Sequence, residues 1–216
     1  MTEYIYDSSN RLTALRNQGY LQVSYDYDAG GRLTSRILSN GAKTLYEYDA
    51  NNRLTQLTNV SSNGAVVHQE TLGHDAIGNI ESVTRHDGSS VTYRYDDAYR
   101  LLSADESDNA RDVTYSYDKV GNIQTKFTNA SGTLYYTVNA DNRLLNTRYN
   151  NASGSIIHQY EYDDNGNRIQ KKDASGNVLY TYSYDQKNQI TQITGSGADN
   201  QYGYDPYRYR IEAQGV

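Results

Sequence analysis

The chain has 216 residues, a formal net charge of -6 and 36% hydrophobic residues, with 24 tyrosines, one proline and no cysteine. The absence of cysteine excludes a disulfide framework and a thiolate metal site, and an acidic chain with no basic stripe argues against a nucleic-acid partner. No apolar run approaches a membrane span, and a mean hydropathy of -0.87 suits a thin, wet sheet better than a thick two-layer core.

The unit of organisation is Tyr46-Glu47-Tyr48-Asp49-Ala50-Asn51-Asn52-Arg53-Leu54, which reads aromatic, spacer, aromatic, acid, three turn formers, base, aliphatic. Its acid recurs at Asp7, Asp28, Asp49, Asp75, Asp96, Asp118, Asn139, Asp163, Asp185 and Asp205, in steps of 20 to 26 residues. Self-similarity at a fixed period decides the fold before any single residue does. Residues 1–216 are therefore predicted to be one array of ten repeats, the first and last incomplete. The copies at His74-Asp75 and Val138-Asn139 depart from the Tyr-Asp pair.

Between two acids the chain reads strand, turn, strand, turn. The array opens on a return strand at Glu3-Tyr4-Ile5-Tyr6. In the second repeat the spacing predicts a strand over 32–38, a turn at Ser39-Asn40-Gly41-Ala42 and a return strand over 43–48. Asn40-Gly41 is a strong hairpin signal because both residues accept positive φ. A mid-repeat glycine recurs at Gly19, Gly41, Gly64, Gly88, Gly132, Gly154 and Gly176. Asp108-Asn109 stands in its place in one copy, and the ninth is expected to use a longer loop, Gly195-Ser196-Gly197. No stretch has helical periodicity between caps. The expected fold is all-β: a continuous antiparallel meander of about 20 strands, curling along an arc of ~95 Å at ~4.8 Å per strand.

The motif residues are Tyr6 and Asp7, Tyr27 and Asp28, Tyr48 and Asp49, Tyr95 and Asp96, Tyr117 and Asp118, Tyr162 and Asp163, Tyr184 and Asp185, and Tyr204 and Asp205. Tyrosines two apart share one face of a strand. Leu33, Leu54, Ile80, Leu101, Ile123, Leu144 and Ile190 are expected to alternate with them in a cross-strand ladder. The acid opens a tight turn by accepting backbone N–H groups one or two residues on. Asn139 can do this without charge, which favours a turn role over an ionic one. Asp163-Asp164-Asn165-Gly166-Asn167 has the glycine of a calcium loop in the wrong place, and position twelve would be Ala174. His68, His74, His86 and His158 have no partners at metal-ligand spacing. The sequon matches at Asn59, Asn129 and Asn151 are expected by chance in such a chain. No catalytic residue, metal ligand or cofactor site is expected.

Tyr27-Asp28-Ala29-Gly30-Gly31-Arg32-Leu33 and Tyr117-Asp118-Lys119-Val120-Gly121-Asn122-Ile123 are similar to the YD repeat, also called the RHS repeat, and the resemblance covers all ten copies. That family includes Rhs polymorphic toxins, the C subunits of insecticidal toxin complexes, wall-associated bacterial proteins and teneurins. The resemblance implies β-hairpins in a strip that spirals into a hollow shell, which in the toxins encloses a C-terminal toxin domain freed by aspartyl self-cleavage. Ten repeats are too few to close such a shell. Asp205-Pro206 lacks the flanking glycines and upstream proline of the cleaving motif, so self-cleavage is not expected. Ile169 and Ile211 stand one position late, which predicts a bulge or a shifted turn there.

The reading is a structural wall segment, not an enzyme, secreted or at the cell surface within a parent protein, although the first residues resemble no signal peptide. Its partners would be further repeats or domains of the same polypeptide and an enclosed toxin. The alternatives are a glycan-binding tyrosine face and edge-to-edge self-association. Glu3 alone guards the first strand, whereas Arg208, Arg210 and Pro206 defend the last, so a partial array that associates through its N-terminal edge is expected.

Overall fold

The structure, a computed structural model, describes residues 1–109 and 111–215. It contains twenty strands, and no helix occurs among the described residues. Two compact units are formed, Met1–Asp112 and Val113–Val216. The first holds β1 (Thr2–Tyr6), β2 (Leu12–Asn17), β3 (Tyr20–Tyr27), β4 (Leu33–Leu38), β5 (Lys43–Tyr48), β6 (Leu54–Val60), β7 (Val66–His74), β8 (Ile80–Arg85), β9 (Ser90–Tyr95) and β10 (Leu101–Glu106). The second holds β11 (Val113–Tyr117), β12 (Ile123–Thr128), β13 (Gly132–Val138), β14 (Leu144–Tyr149), β15 (Ile156–Tyr162), β16 (Arg168–Lys172), β17 (Val178–Tyr184), β18 (Ile190–Gly195), β19 (Ala198–Tyr204) and β20 (Arg210–Gly215). Within each unit every pairing is antiparallel and joins strands consecutive in sequence, from β1–β2 to β9–β10 and from β11–β12 to β19–β20. The all-β meander predicted from the period is the fold.

The two faces differ in chemistry. Tyr46 opposes Leu57 and Tyr48 opposes Leu54, while on the other face Leu45 opposes Thr58 and Glu47 opposes Gln56. Ser35 opposes Asp26 on that polar face and donates its hydroxyl to the Asp26 carboxylate at 2.6 Å. Tyrosine, leucine and threonine suit a pleated, half-buried surface, so the alternation follows from the sequence. Within either unit no second layer of described strands covers the aromatic face. Among the described residues only Val23, Val60 and Val91 are buried hydrophobics, and no large side chain is fully buried.

The turns correct two expectations. Around Gly41, the Leu38 amide donates to the Ala42 carbonyl and the Gly41 amide to the Leu38 carbonyl. Gly41 alone has positive φ, at 87°, and Asn40 does not. This is a type I turn closed by a left-handed residue, a three-residue loop and not a two-residue one with both centres left-handed. The two-residue form occurs instead at Gln18-Gly19 and Ser196-Gly197, where both residues have positive φ. The expected longer loop at 195–197 is thus a short one, with Gly195 opposite Ala198. At Ile169 and Ile211 the expected bulge is present, between Glu161 and Tyr162 and between Gly203 and Tyr204. The irregularity between Glu161 and Tyr162 also occurs between Glu47 and Tyr48, so the eighth and tenth turns are not shifted. Arg168 and Arg210 simply take the aliphatic position opposite Tyr162 and Tyr204.

Every acid turn has its closing residue, the third after the acid position, in the left-handed region. It is asparagine or glycine in eight copies, but Tyr99 (φ 62°) and Arg208 (φ 73°) in the other two. A side chain there costs about 1 kcal/mol, which asparagine tolerates best. Tyr99→Asn is expected to raise stability by about 1 kcal/mol in urea denaturation; an unchanged midpoint would show the tyrosine is held by compensating contacts.

Candidate functional site

Asp49 shows how each motif is built. Its amide donates to the Arg53 carbonyl at 2.9 Å, and the Asn52 amide returns to the Asp49 carbonyl at 3.1 Å. Asp49 Oδ1 accepts the backbone N–H of Asn51 at 2.8 Å and of Arg53 at 2.9 Å. Its Oδ2 accepts Arg53 Nε at 2.7 Å. The carboxylate thus reaches two and four residues on, further than the Asx turn expected from sequence. The same arrangement with arginine recurs at Asp7–Arg11, Asp28–Arg32 and Asp96–Arg100. At Asp118 and Asp163 the fourth residue is Asn122 or Asn167, whose side-chain amide donates to Oδ2 at 2.8 and 2.9 Å. Asp185 and Asp205 accept the two backbone donors. The acid is therefore both a turn former and, beside arginine, half of an ion pair.

These bonds favour the charged form. The backbone N–H of Arg32, followed by its guanidinium, holds the Asp28 carboxyl below its ordinary value. For Asp118 and Asp163 the side-chain amides of Asn122 and Asn167 lead the same effect. Asp49→Asn would keep Oδ1 for the two backbone donors and lose the acceptor for Arg53 Nε, whereas Asp49→Ala loses all three bonds. The melting temperature is expected to fall in the order wild type, Asp49→Asn, Asp49→Ala. Equal losses for the two variants in a thermal melt would mean that the backbone bonds carry nothing.

The second tyrosine of several pairs reaches back along the strip. Tyr48 Oη donates to the Leu33 carbonyl at 2.9 Å, Tyr27 to Leu12 at 2.8 Å, Tyr95 to Ile80 at 2.9 Å and Tyr184 to Arg168 at 3.1 Å. The β4–β5 ladder ends at Ser35 opposite Leu45, so Leu33 lies beyond its last pair. The phenol supplies the hydrogen bond that the splayed strand cannot. Tyr48→Phe keeps the ring and orphans that carbonyl, an expected loss of about 1 kcal/mol in chemical denaturation; no loss would assign the site to water. Tyr117 opposes Ile123, Tyr162 opposes Arg168 and Tyr204 opposes Arg210. Tyr6, on the outermost strand of its unit, is 53% exposed.

What sequence reasoning missed is the reach of the residue four after the acid. Arg32 Nη1 donates to the carbonyl of the next acid, Asp49, at 2.9 Å, and Arg53 to that of Asp75 at 2.8 Å. Arg32 also lies over the Tyr48 ring, 5.0 Å from its centroid, as Arg11 lies 4.8 Å from that of Tyr27. One guanidinium thus closes its own turn, bonds the next and covers the next tyrosine. The recurrent arginine was a visible signal, but its partner is 17 to 22 residues away.

This geometry binds the protein to itself. Among the described residues no three His, Asp or Glu side chains converge as a metal site.

Comparison with known proteins agrees with the geometry. The sequence matches the family described as RHS Repeat over residues 6–43, 27–65, 74–111 and 162–199. A search of the curated proteins found no match. Among solved structures, the whole chain superposes on part of the crystal structure of TcdB2-TccC3-Cdc42 with a TM-score of 0.62 at 19% identity. It superposes on TcdB2-TccC3 without the hypervariable C-terminal region at 0.55 and 17%, and on TcdB2-TccC3 at 0.51 and 16%. In each case it spans 14% of the other chain's length.

Proposed function

Because the chain belongs to the RHS repeat family, we propose that its ten repeats are one array forming part of the wall of a hollow β-shell around a toxin or cargo domain of a secreted or cell-surface protein, with no catalytic role of its own. The observation that carries this reading is a sheet one layer thick whose motif side chains are spent on its own backbone. Such a sheet gains its stability from stitching between neighbouring turns, which suits an extended wall better than a compact catalytic domain. The likeness in fold to TcdB2-TccC3 chains supports the same reading. A glycan platform is less well supported, since Tyr27, Tyr48, Tyr95 and Tyr184 have their hydroxyls on backbone carbonyls.

The test is limited proteolysis of the parent polypeptide. The enclosed domain should resist a protease that digests it once the wall is opened by acid. Cleavage of that domain at the same rate before and after opening would overturn the reading.

A further inference from the structure

Among the described residues the turn-to-turn stitching lacks its bond at two junctions, and one of them borders an acidic groove. From Asp7, Asp28 and Asp49, an arginine donates to the next acid's carbonyl at 3.4, 2.9 and 2.8 Å. From Asp118 and Asp163, Asn122 and Asn167 reach the side-chain oxygens of Asn142 and Asn188 at 2.8 and 2.9 Å. The junction from Asp75 to Asp96 has neither bond. The Asn79 amide is used by Asp75 Oδ2 at 2.8 Å, and the closing position of the next turn is Tyr99, which has no amide oxygen to offer. The Asp96 carbonyl accepts the Tyr99 amide at 2.9 Å and no second described donor.

A groove of about 540 Å³ lies at this junction. Tyr95 lines it, held by the same hydroxyl-to-carbonyl bond that holds Tyr48. The groove therefore offers a tyrosine face and a carbonyl in the relation that Arg32 satisfies elsewhere, stacked on Tyr48 and bonded to Asp49. Four carboxylates line it, of Asp75, Glu81, Asp96 and Asp97, with Arg94 in the wall and the Asp96 carboxylate already paired to Arg100. The protein supplies its own template for the occupant: three of its arginines fill the corresponding place.

We propose that this groove binds the guanidinium of an arginine side chain presented by another polypeptide segment. The planar cation would stack on Tyr95, donate to the Asp96 carbonyl and draw charge complementarity from Glu81 and Asp97. The groove between Asp185 and Asp205 is also unbridged, with Gln189 at the fourth position, but only two carboxylates stand against Lys187 in its wall, so it attracts a cation less and serves as an internal control. The proposal does not depend on what the wall encloses, and its failure would leave the wall reading intact.

The test is an amide NMR titration of the folded chain with N-acetyl-arginine amide and with its neutral isostere, the citrulline analogue. Saturable shifts are expected at 77–79 and 93–99 for the arginine probe, with binding at least about tenfold weaker for citrulline. An arginine flanked by glycines in a tripeptide should bind at least as tightly as the amide; weaker binding would overturn presentation on a polypeptide. Asn79→Arg should abolish binding and raise the melting temperature, since its own guanidinium would fill the groove as Arg32 and Arg53 fill theirs. The double change Glu81→Gln and Asp97→Asn, which leaves both turns intact, should weaken binding. Equal affinity for the two probes, no saturable shift, or undiminished binding to Asn79→Arg would each overturn the proposal.

Discussion

Acidification from neutrality to about pH 3 is expected to lower the melting temperature steeply and cooperatively along the array. Seven motif carboxyls, those of Asp7, Asp28, Asp49, Asp75, Asp96, Asp118 and Asp163, are held below the ordinary value of 3.8 in the folded protein. A depressed folded value means that the unfolded chain takes up protons first as the pH falls. The stability these groups contribute is fully present above the ordinary value and is lost as the pH drops through the folded values. Each shift alone is modest, because the carboxylates border solvent. Their effects add because all are lost in one pH window. Circular dichroism melts at pH 7, 4 and 3 would measure it, and a melting temperature indifferent to pH below 4 would refute it. Salt should weaken the turns paired with arginine more than those closed by Asn122 or Asn167.

The largest effect of a single substitution is expected at Gly195. A Cβ there would lie 2.1 Å from the Leu179 carbonyl oxygen and 3.0 Å from the Leu179 carbonyl carbon and Tyr180 Cα. All three are backbone atoms of β17, which is held on its other side by Tyr180 opposite Lys171 and Val178 opposite Lys172 of β16 and cannot retreat without disturbing that pairing. The φ of 123° adds to the strain. Gly195→Ala should cost roughly 3 kcal/mol or more. Gly176 also has positive φ, at 88°, but an added Cβ meets nothing within 4 Å, so Gly176→Ala should cost only about 1 kcal/mol. Urea denaturation of the two variants separates steric collision from backbone preference; equal losses would remove the collision argument.

The strands and the tyrosine-opposite-leucine pairs were legible because each repeat states them in consecutive residues. Tyr48 opposite Leu54 needs only a turn of known length between them. The turn subtype was not legible, since Asn40-Gly41 is compatible with both a two-residue and a three-residue loop. Nor was the reach of Arg32, whose partners Asp49 and Tyr48 come into range only once two hairpins lie side by side. The same limit hid the groove beside Asn79. In sequence that residue is an ordinary substitution within the motif, and its meaning depends on Tyr99, twenty residues later.

Within each unit, strands pair only with the strands that precede and follow them in the chain. Almost all contacts therefore close loops of a few residues to about twenty, and little loop-closure entropy must be spent before a contact forms. Each hairpin can dock as soon as it leaves the ribosome, onto an edge already made. Growth of the strip is then a zipper with many starting points. Duplication or deletion of a whole repeat would alter the length of the strip without disturbing the register of the strands beyond it.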